Sequence, residues 1–224
     1  MFIKKRILVI SPHPDDETLG LGGSVAKFVK EGSEVFVLTV SGHLPPLYSQ
    51  KAYKTTVNEA KKAYKVLGVE KSKFLRIPAT MVKDEPIHEL NEKITSVIKS
   101  YKPNIVFIPF FDRHIDHRVV FESSLVATRP VGIGKNIEMV AAYETISETH
   151  WNAPYIEPNF SPNLVIDVSN YLSKKIEALK CYESQISFDE GPRSIKAISA
   201  LAQFRGSQSG FEFGEAFYVI RMTL

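Results

Sequence analysis

Two short stretches hold a dense set of side chains able to bind a metal or move a proton. In "SPHPDDETLGLGG" (Ser11–Gly23), His13, Asp15, Asp16 and Glu17 follow the apolar run "RILVI" directly. In "FFDRHIDHR" (Phe110–Arg118), His114, Asp116 and His117 follow "NIVFIP". Charged groups are costly to bury, so their position against apolar runs asks for a reason. Two histidines and a carboxylate suit catalytic zinc, which takes N and O donors tetrahedrally and keeps one place for water. Such an ion lowers the pKa of its water toward about 7 and supplies hydroxide at neutral pH. A carboxylate outside the ligand set can take the water's proton and pass it to a leaving group. An imidazole can stabilise the oxyanion of a tetrahedral intermediate, and a further carboxylate can orient a ligating imidazole. The two stretches together supply a residue for each role, whereas His43, His88, His150 and Cys181 do not cluster in this way. Taken alone, "DDE" fits a solvated helix N-terminus, where carboxylates complement the dipole, and a lone "HxxH" carries no meaning. The chemical reading rests on both stretches following buried strands.

The elements that must position them are legible in the apolar spacing. Strands are predicted at 6–11, 34–40, 73–77, 104–110, 137–144, 163–169 and 216–222. Helices are predicted at 18–32, 52–68, 87–101, 116–129, 173–185 and 193–207. This alternation predicts a Rossmann-like, mostly parallel α/β sheet with helices on both faces, in a single domain over 1–224. The part from about residue 145 is expected to form loops and a lid around the site. In such open sheets ligands bind outside the carboxyl ends of the strands, which is where both polar stretches fall. Loops at 42–51, 78–86 and 145–162 are long enough to act as lids.

With 224 residues, 44% hydrophobic and 24% charged, the chain can bury a core without staples. A net charge of +3 with no basic block longer than "KKR" argues against nucleic acid as a partner. No run approaches the length of a membrane span. The start "MFIKKRILVI" reads as a strand and not a signal peptide. One cysteine, Cys181, forbids an intrachain disulfide and fits a reducing compartment, so a cytoplasmic location is expected.

Together, "PHPDDE" and "HIDH" resemble the paired signature of the PIG-L/LmbE-type zinc-dependent N-deacetylases. Enzymes of that family remove acetyl groups from N-acetylglucosamine-type sugars. The resemblance runs along nearly the whole chain, through "TLGLGG", the "LG" ending the second helix, "ATRP", "YET" (143–145), "SQ" (184–185) and "EAF" (215–217). It implies zinc, with Fe2+ or another divalent ion as substitutes, held by His13, Asp16 and His117. It implies Asp15 as the general base, His114 as the oxyanion stabiliser, Asp116 as the group orienting an imidazole, and Glu17 as a buttress of the loop. The substrate implied is a small N-acetylated sugar or its conjugate. The chain departs from the pattern in two places. "KTTVNE" (54–59) stands where many members carry an arginine, with only Lys54 nearby, and "IPA" (77–79) stands where many carry an aspartate. Both departures fall on substrate recognition.

Lesser features have competing readings. "GLGG" (20–23) lies too far from the strand for a dinucleotide loop, and close helix–sheet packing is the better account. Arg129 could bind an anionic substrate group or serve a helix C-terminus. Trp151, Tyr155 and Phe160 could stack on a sugar, or pack their loop down, the reading preferred here. Long aromatic loops are compatible with a homo-oligomer. Two other functions fit parts of the pattern: a catalytically silent sugar- or nucleotide-binding module of the same fold, and a metal-dependent phosphoesterase. Magnesium's preference for oxygen ligands weighs against the second.

Overall fold

The computed structural model describes residues 2–153, 155–186 and 190–223. Seven strands form one sheet in the order β3-β2-β1-β4-β5-β7-β6. β1 (Arg6–Ser11), β2 (Glu34–Gly42), β3 (Lys71–Pro78), β4 (Ile105–Pro109) and β5 (Met139–Tyr143) pair in parallel. β7 (Gly214–Met222) runs antiparallel to both β5 and β6 (Leu164–Asp167). The expected Rossmann-like sheet is therefore present, with an antiparallel strand near one edge.

The central strands are apolar on both faces because both faces are covered. Ile7 and Val9 of β1, Val35 and Val37 of β2, and Ile105 and Phe107 of β4 enter one core. Their neighbours Leu8, Ile10, Phe36, Leu38, Val106 and Ile108 enter the other. α1 (Asp16–Lys30), α2 (Gln50–Leu67) and α5 (Leu172–Leu179) cover the first face, joined by α6 (Ile195–Ser207). α3 (Ile87–Tyr101) and α4 (Ile115–Ala127) cover the second. The buried positions of α2, Tyr53, Thr56, Ala60, Ala63, Tyr64 and Leu67, recur at three and four residues and form one stripe.

The strand order places a topological switch between β1 and β4. These two strands are direct neighbours, with Ile7 opposite Ile105 and Val9 opposite Phe107. The helix after β1 covers one face and the helix after β4 covers the other, so a crevice opens between their connections.

α1 consists of two helical segments that meet at a non-helical Leu21 (φ −144°). The break frees backbone donors inside the protein, and Glu215 of β7 accepts them, Gly23 N at 3.0 Å and Ser24 N at 2.6 Å. Lys175 Nζ lies 2.6 Å from the same carboxylate, and both side chains are buried. A Cβ at Gly20 would stand 2.3 Å from Tyr143 Cδ2 and 2.9 Å from Glu144 O. "GLGG" thus serves close packing, as the sequence suggested. Two elements differ from expectation. α1 begins at Asp16, inside the acidic stretch. α5 ends at Leu179 instead of 185, because Tyr182 and Ser184 turn back to hydrogen-bond Glu17 and Glu59. Residues 164–222 supply the two strands and two helices expected there, in the same layers.

Candidate functional site

The first stretch turns from strand to helix within four residues. Asp15 takes φ +128°, a sparsely populated conformation for a side chain with a Cβ. Its carbonyl accepts from Thr18 N and Leu19 N at 2.9 and 2.8 Å, which starts α1. The second stretch turns from β4 to α4 within five residues, and His114 caps α4, its Nδ1 accepting from Asp116 N at 3.1 Å.

Across the crevice the two stretches meet. Asp16 Oδ2 lies 3.1 Å from His13 Nδ1 and 3.2 Å from His117 Nε2. Each imidazole is held from behind by a carboxylate: His13 Nε2 is 2.8 Å from Asp116 Oδ2, and His117 Nδ1 is 2.9 Å from Asp112 Oδ2. These bonds leave His13 Nδ1 and His117 Nε2 turned to Asp16. Thr80, itself at φ +67°, donates its backbone N–H to Asp116 at 2.7 Å and fixes that carboxylate. His13, His114 and His117 together present ring nitrogens within 4.8 Å of one another. Because His114 Nδ1 accepts a backbone proton, its Nε2 carries the hydrogen. That tautomer leaves His114 a donor through Nε2, whereas His13 and His117 each donate to the carboxylate behind the ring.

Charge at the site follows from burial and pairing. Burial pulls His13 down, but hydrogen bonds to Asp116 and Asp16 and the charge of Asp16 outweigh it and raise the pKa to about 9. Burial also acts against His117, and the charges and hydrogen bonds of Asp16 and Asp112 carry it to about 10. Asp16 feels burial too, yet those two imidazoles hold it well below the usual carboxylate range. The carboxylates thus draw positive charge into the crevice. Among the described residues, Asp16 Oδ1 and Asp116 Oδ1 are buried with no hydrogen-bond partner, a costly state for groups of this kind. Donors about 2.0–2.1 Å from a tetrahedral ion stand roughly 3.3 Å apart, close to the 3.1 and 3.2 Å measured here. The donor set fits a divalent metal at His13, Asp16 and His117.

Asp15 lies beside this group. Its carboxylate is buried and accepts from Arg193 Nη1 at 2.8 Å. Burial raises its pKa to about 7, the nearby charge of Arg193 works against this, and Asp16 and Glu17 add to it. His114 is driven down to about 4 by burial and then by the positive charge of His13 and His117, so it is neutral at pH 7. Glu17 has other side-chain partners. It accepts from Ser11 Oγ, Thr18 Oγ1 and Tyr182 OH at 3.0, 2.8 and 2.5 Å, the place of a buttress. A cavity of about 230 Å³ opens on His13, Asp15 and His114, with His43, Glu148 and Arg193 in its walls.

Two residues considered for substrate contact lie elsewhere. Arg129 follows α4 at the opposite edge of the sheet, where its Nε donates to Val126 O, the helix-end role noted as the alternative. Lys54 is exposed on α2 and does not line this cavity. Of the loop aromatics, Phe160 packs edge-on against Phe110, whereas Trp151 and Tyr155 are exposed. Sequence reasoning passed over Asp112, Arg193 and His43. Asp112 had a signal, an acid in the same short stretch as His117. Arg193 and His43 stand in loops with no local pattern.

Residues 8–128, more than half of the chain, match the family described as GlcNAc-PI de-N-acetylase (PIG-L). A diacetylchitobiose deacetylase of Thermococcus kodakarensis is 27% identical over 94% of this chain and 81% of its own length. Among solved structures, the N,N'-diacetylchitobiose deacetylase of Pyrococcus horikoshii superposes with a TM-score of 0.76 at 22% identity, covering 96% of this chain and 84% of that one. A 4-carboxy-2-hydroxymuconate hydratase of Pseudomonas putida KT2440 superposes with a TM-score of 0.79 at 17% identity, over 98% of both chains. The fold therefore hosts more than one reaction, and likeness of fold leaves the chemistry to the site. With both polar stretches inside the matched segment, the chain belongs to the PIG-L family.

Proposed function

We propose that this protein is a zinc-dependent hydrolase that removes the N-acetyl group of an amino sugar or its conjugate. His13, Asp16 and His117 hold the metal, and Fe2+ or another divalent ion is the alternative occupant. When bound there, the metal acts as a Lewis acid that makes water nucleophilic near neutral pH and polarises the amide carbonyl.

The observation that carries the reading is the division of labour around the donor set. Asp15 is buried next to the ligands, is engaged by Arg193 and not by an imidazole, and has a pKa near 7. A base poised near the working pH is the efficient one. Asp15 takes a proton from the attacking water as the new C–O bond forms. The former carbonyl oxygen gains charge and accepts a hydrogen bond from His114 Nε2–H. The C–N bond then breaks, and Asp15 returns its proton to the departing amine. His114 suits its part because it is neutral and its hydrogen sits on the free nitrogen. Asp116 and Thr80 act earlier, by fixing the ring of His13.

The two deacetylases cited above are named for diacetylchitobiose, an N-acetylated sugar, which supports this substrate class. A cytoplasmic location is our assignment, on the single cysteine. Among the described residues no helix is long and apolar enough to cross a membrane.

The test is amine release from N-acetylglucosamine and N,N'-diacetylchitobiose by zinc-loaded protein, wild type beside Asp15→Asn. The variant keeps its metal and loses about 10²–10⁴-fold in kcat. Undiminished turnover in the variant refutes the assignment of the base. A zinc-loaded wild type that releases no amine from any N-acetylated sugar refutes the substrate class.

A further inference from the structure

We infer that Glu148 is a positioning residue: it holds the guanidinium of Arg193 from behind, so that Arg193 meets Asp15 through one nitrogen and fixes that carboxylate for proton transfer. This rests on the deacetylase reading above, in which Asp15 is the base, and adds a residue that acts through another. The Arg193 guanidinium is engaged by three side chains. Nη1 donates to Asp15 Oδ2 at 2.8 Å, Nε donates to Ser147 Oγ at 2.9 Å, and Nη2 lies 3.7 Å from Glu148 Oε1. Guanidinium and carboxylate readily pair fork to fork, through two parallel hydrogen bonds. Here Ser147 and Glu148 lie along the edge formed by Nε and Nη2. With that edge taken, Arg193 reaches Asp15 through Nη1 and engages Oδ2.

Glu148 is placed for this work. It is buried, and its carboxylate lies between two guanidiniums. Oε1 is turned to Arg193, and Oε2 lies 2.9 Å from Arg113 Nη2. Arg113 immediately precedes His114, and its guanidinium lies 5.3 Å from the centroid of the Trp151 ring, on the same segment as Glu148. One buried carboxylate thus bridges the arginine that engages the base and the arginine next to the oxyanion donor. Its own segment is anchored from below. Thr149 Oγ1 donates to Asp112 Oδ2 at 3.0 Å and accepts from Thr145 N at 2.9 Å, while Glu148 N donates to Thr145 O at 2.9 Å.

A long arginine side chain has many rotamers to lose, and a planar fork keeps one geometry only when several partners define it. Without the charge of Glu148, the guanidinium is free to turn its fork onto both oxygens of Asp15, or to leave that carboxylate. Either arrangement misplaces the base, and small misplacements of a reacting group are costly to rate. Glu148 also stands in the wall of the cavity, so direct contact with substrate is the competing role.

The experiment measures kcat and KM for N-acetylglucosamine and N,N'-diacetylchitobiose in zinc-loaded wild type, Glu148→Gln, Arg193→Met and the double variant. Glutamine keeps the volume and removes the charge, on which a 3.7 Å ion pair depends. Glu148→Gln lowers kcat about tenfold or more and leaves KM within about twofold. The double variant is no slower than Arg193→Met alone, because Glu148 acts through Arg193. Losses that multiply in the double variant make Glu148 independent of Arg193 and overturn the inference. A loss confined to KM makes it a substrate contact and overturns it too, as does unchanged kcat. Should Glu148→Gln not fold, Glu148→Asp, which keeps the charge and shortens the reach, stands in for it with the same outcomes. A second readout needs no turnover. Heteronuclear NMR follows the Arg193 Nε–H resonance, assigned by its loss in Arg193→Met. It shifts and broadens in the Glu148 variant, and an unchanged resonance overturns the inference. If wild type releases amine from neither sugar, the deacetylase reading falls, and that resonance alone decides whether Glu148 holds Arg193.

Discussion

Asp112 provides the sharpest test of the reasoning, because the structure gives it work that its sequence position only hinted at. It is fully buried, and its two oxygens accept three donors. Oδ2 takes His117 Nδ1 at 2.9 Å and Thr149 Oγ1 at 3.0 Å, and Oδ1 takes His114 N at 3.0 Å. Replacing it with asparagine keeps the shape and an acceptor and removes the charge. Hydrogen bonds to charged groups contribute about 1.5–3 kcal/mol and neutral ones about 0.5–1.5. The bond to His117 should then weaken by roughly 1–1.5 kcal/mol, or about tenfold in metal affinity. This sits at the lower end of the 10–100-fold range known for groups that support a ligating imidazole. Alanine should reach the upper end and also destabilise the fold, since three buried donors lose their partner.

The pH dependence gives the prediction a sign. In the metal-free protein His117 holds a proton up to about pH 10, despite burial, because Asp16 and Asp112 favour its charged form. The metal must displace that proton. Asp112→Asn lowers the pKa of His117, which eases displacement and offsets part of the loss while the ring is protonated. The deficit in apparent affinity should therefore widen as pH rises. Competition against a chromophoric chelator between pH 6 and 9 measures it, with the melting temperature of the metal-free protein as control. Equal affinity across that range, or a deficit that narrows as pH rises, refutes the role given to Asp112.

The remaining predictions use other parts of the structure. Arg193→Met removes a positive charge 2.8 Å from Asp15, so the pKa of Asp15 rises and the acid limb of the kcat/KM profile moves to higher pH; an unmoved limb separates Arg193 from the base. Gly20→Ala forces a methyl group against Tyr143 and the backbone of Glu144, costing about 1–3 kcal/mol, read as a fall in Tm of about 2–4 °C per kcal/mol; an unchanged Tm contradicts the packing account. Glu144 is buried, yet hydrogen bonds from His150 and Arg205 and their charges outweigh burial and hold its pKa below the usual value. A carboxylate depressed on folding stabilises fully above its unfolded pKa and loses that contribution as pH falls through the folded one. The wild type should therefore lose stability below about pH 4.5 with a steeper slope than Glu144→Gln, so that the stability gap between the two narrows as pH falls; parallel slopes in the two proteins count against the linkage.

Much of this architecture is readable from the chain because burial on both faces writes strands as unbroken apolar runs, and "RILVIS" and "NIVFIPF" are such runs. The adjacency of β1 and β4 is not written in either. It follows from strand order, and the order follows from which faces the intervening helices cover. Residues that act from loops left the weakest trace. His43 follows β2, and Arg193 stands just before α6, some 178 positions from the carboxylate it binds. Only folding reveals that the two share a cavity with His13 and His114. Asp112 is the intermediate case, near enough to His117 in sequence to be noticed and yet readable as an ordinary loop acid.

The run of three carboxylates after β1 now has a physical explanation. Successive residues at the start of a helix project about 100° apart, so three adjacent acids enter three different surroundings. Asp15 meets Arg193 and the cavity, with a pKa near 7. Asp16 meets two imidazoles and stays ionised. Glu17 meets Ser11, Thr18 and Tyr182, where burial favours its neutral form and those hydrogen bonds oppose it. On the function proposed above, one chemical group, the carboxyl, serves in three environments as base, ligand and brace. The same turn recurs after β4, where Asp112, His114, Asp116 and His117 divide between holding rings and being held. The switch point matters because it sends α1 and α4 to opposite faces of the sheet, and only then can two helix starts aim at one position between them.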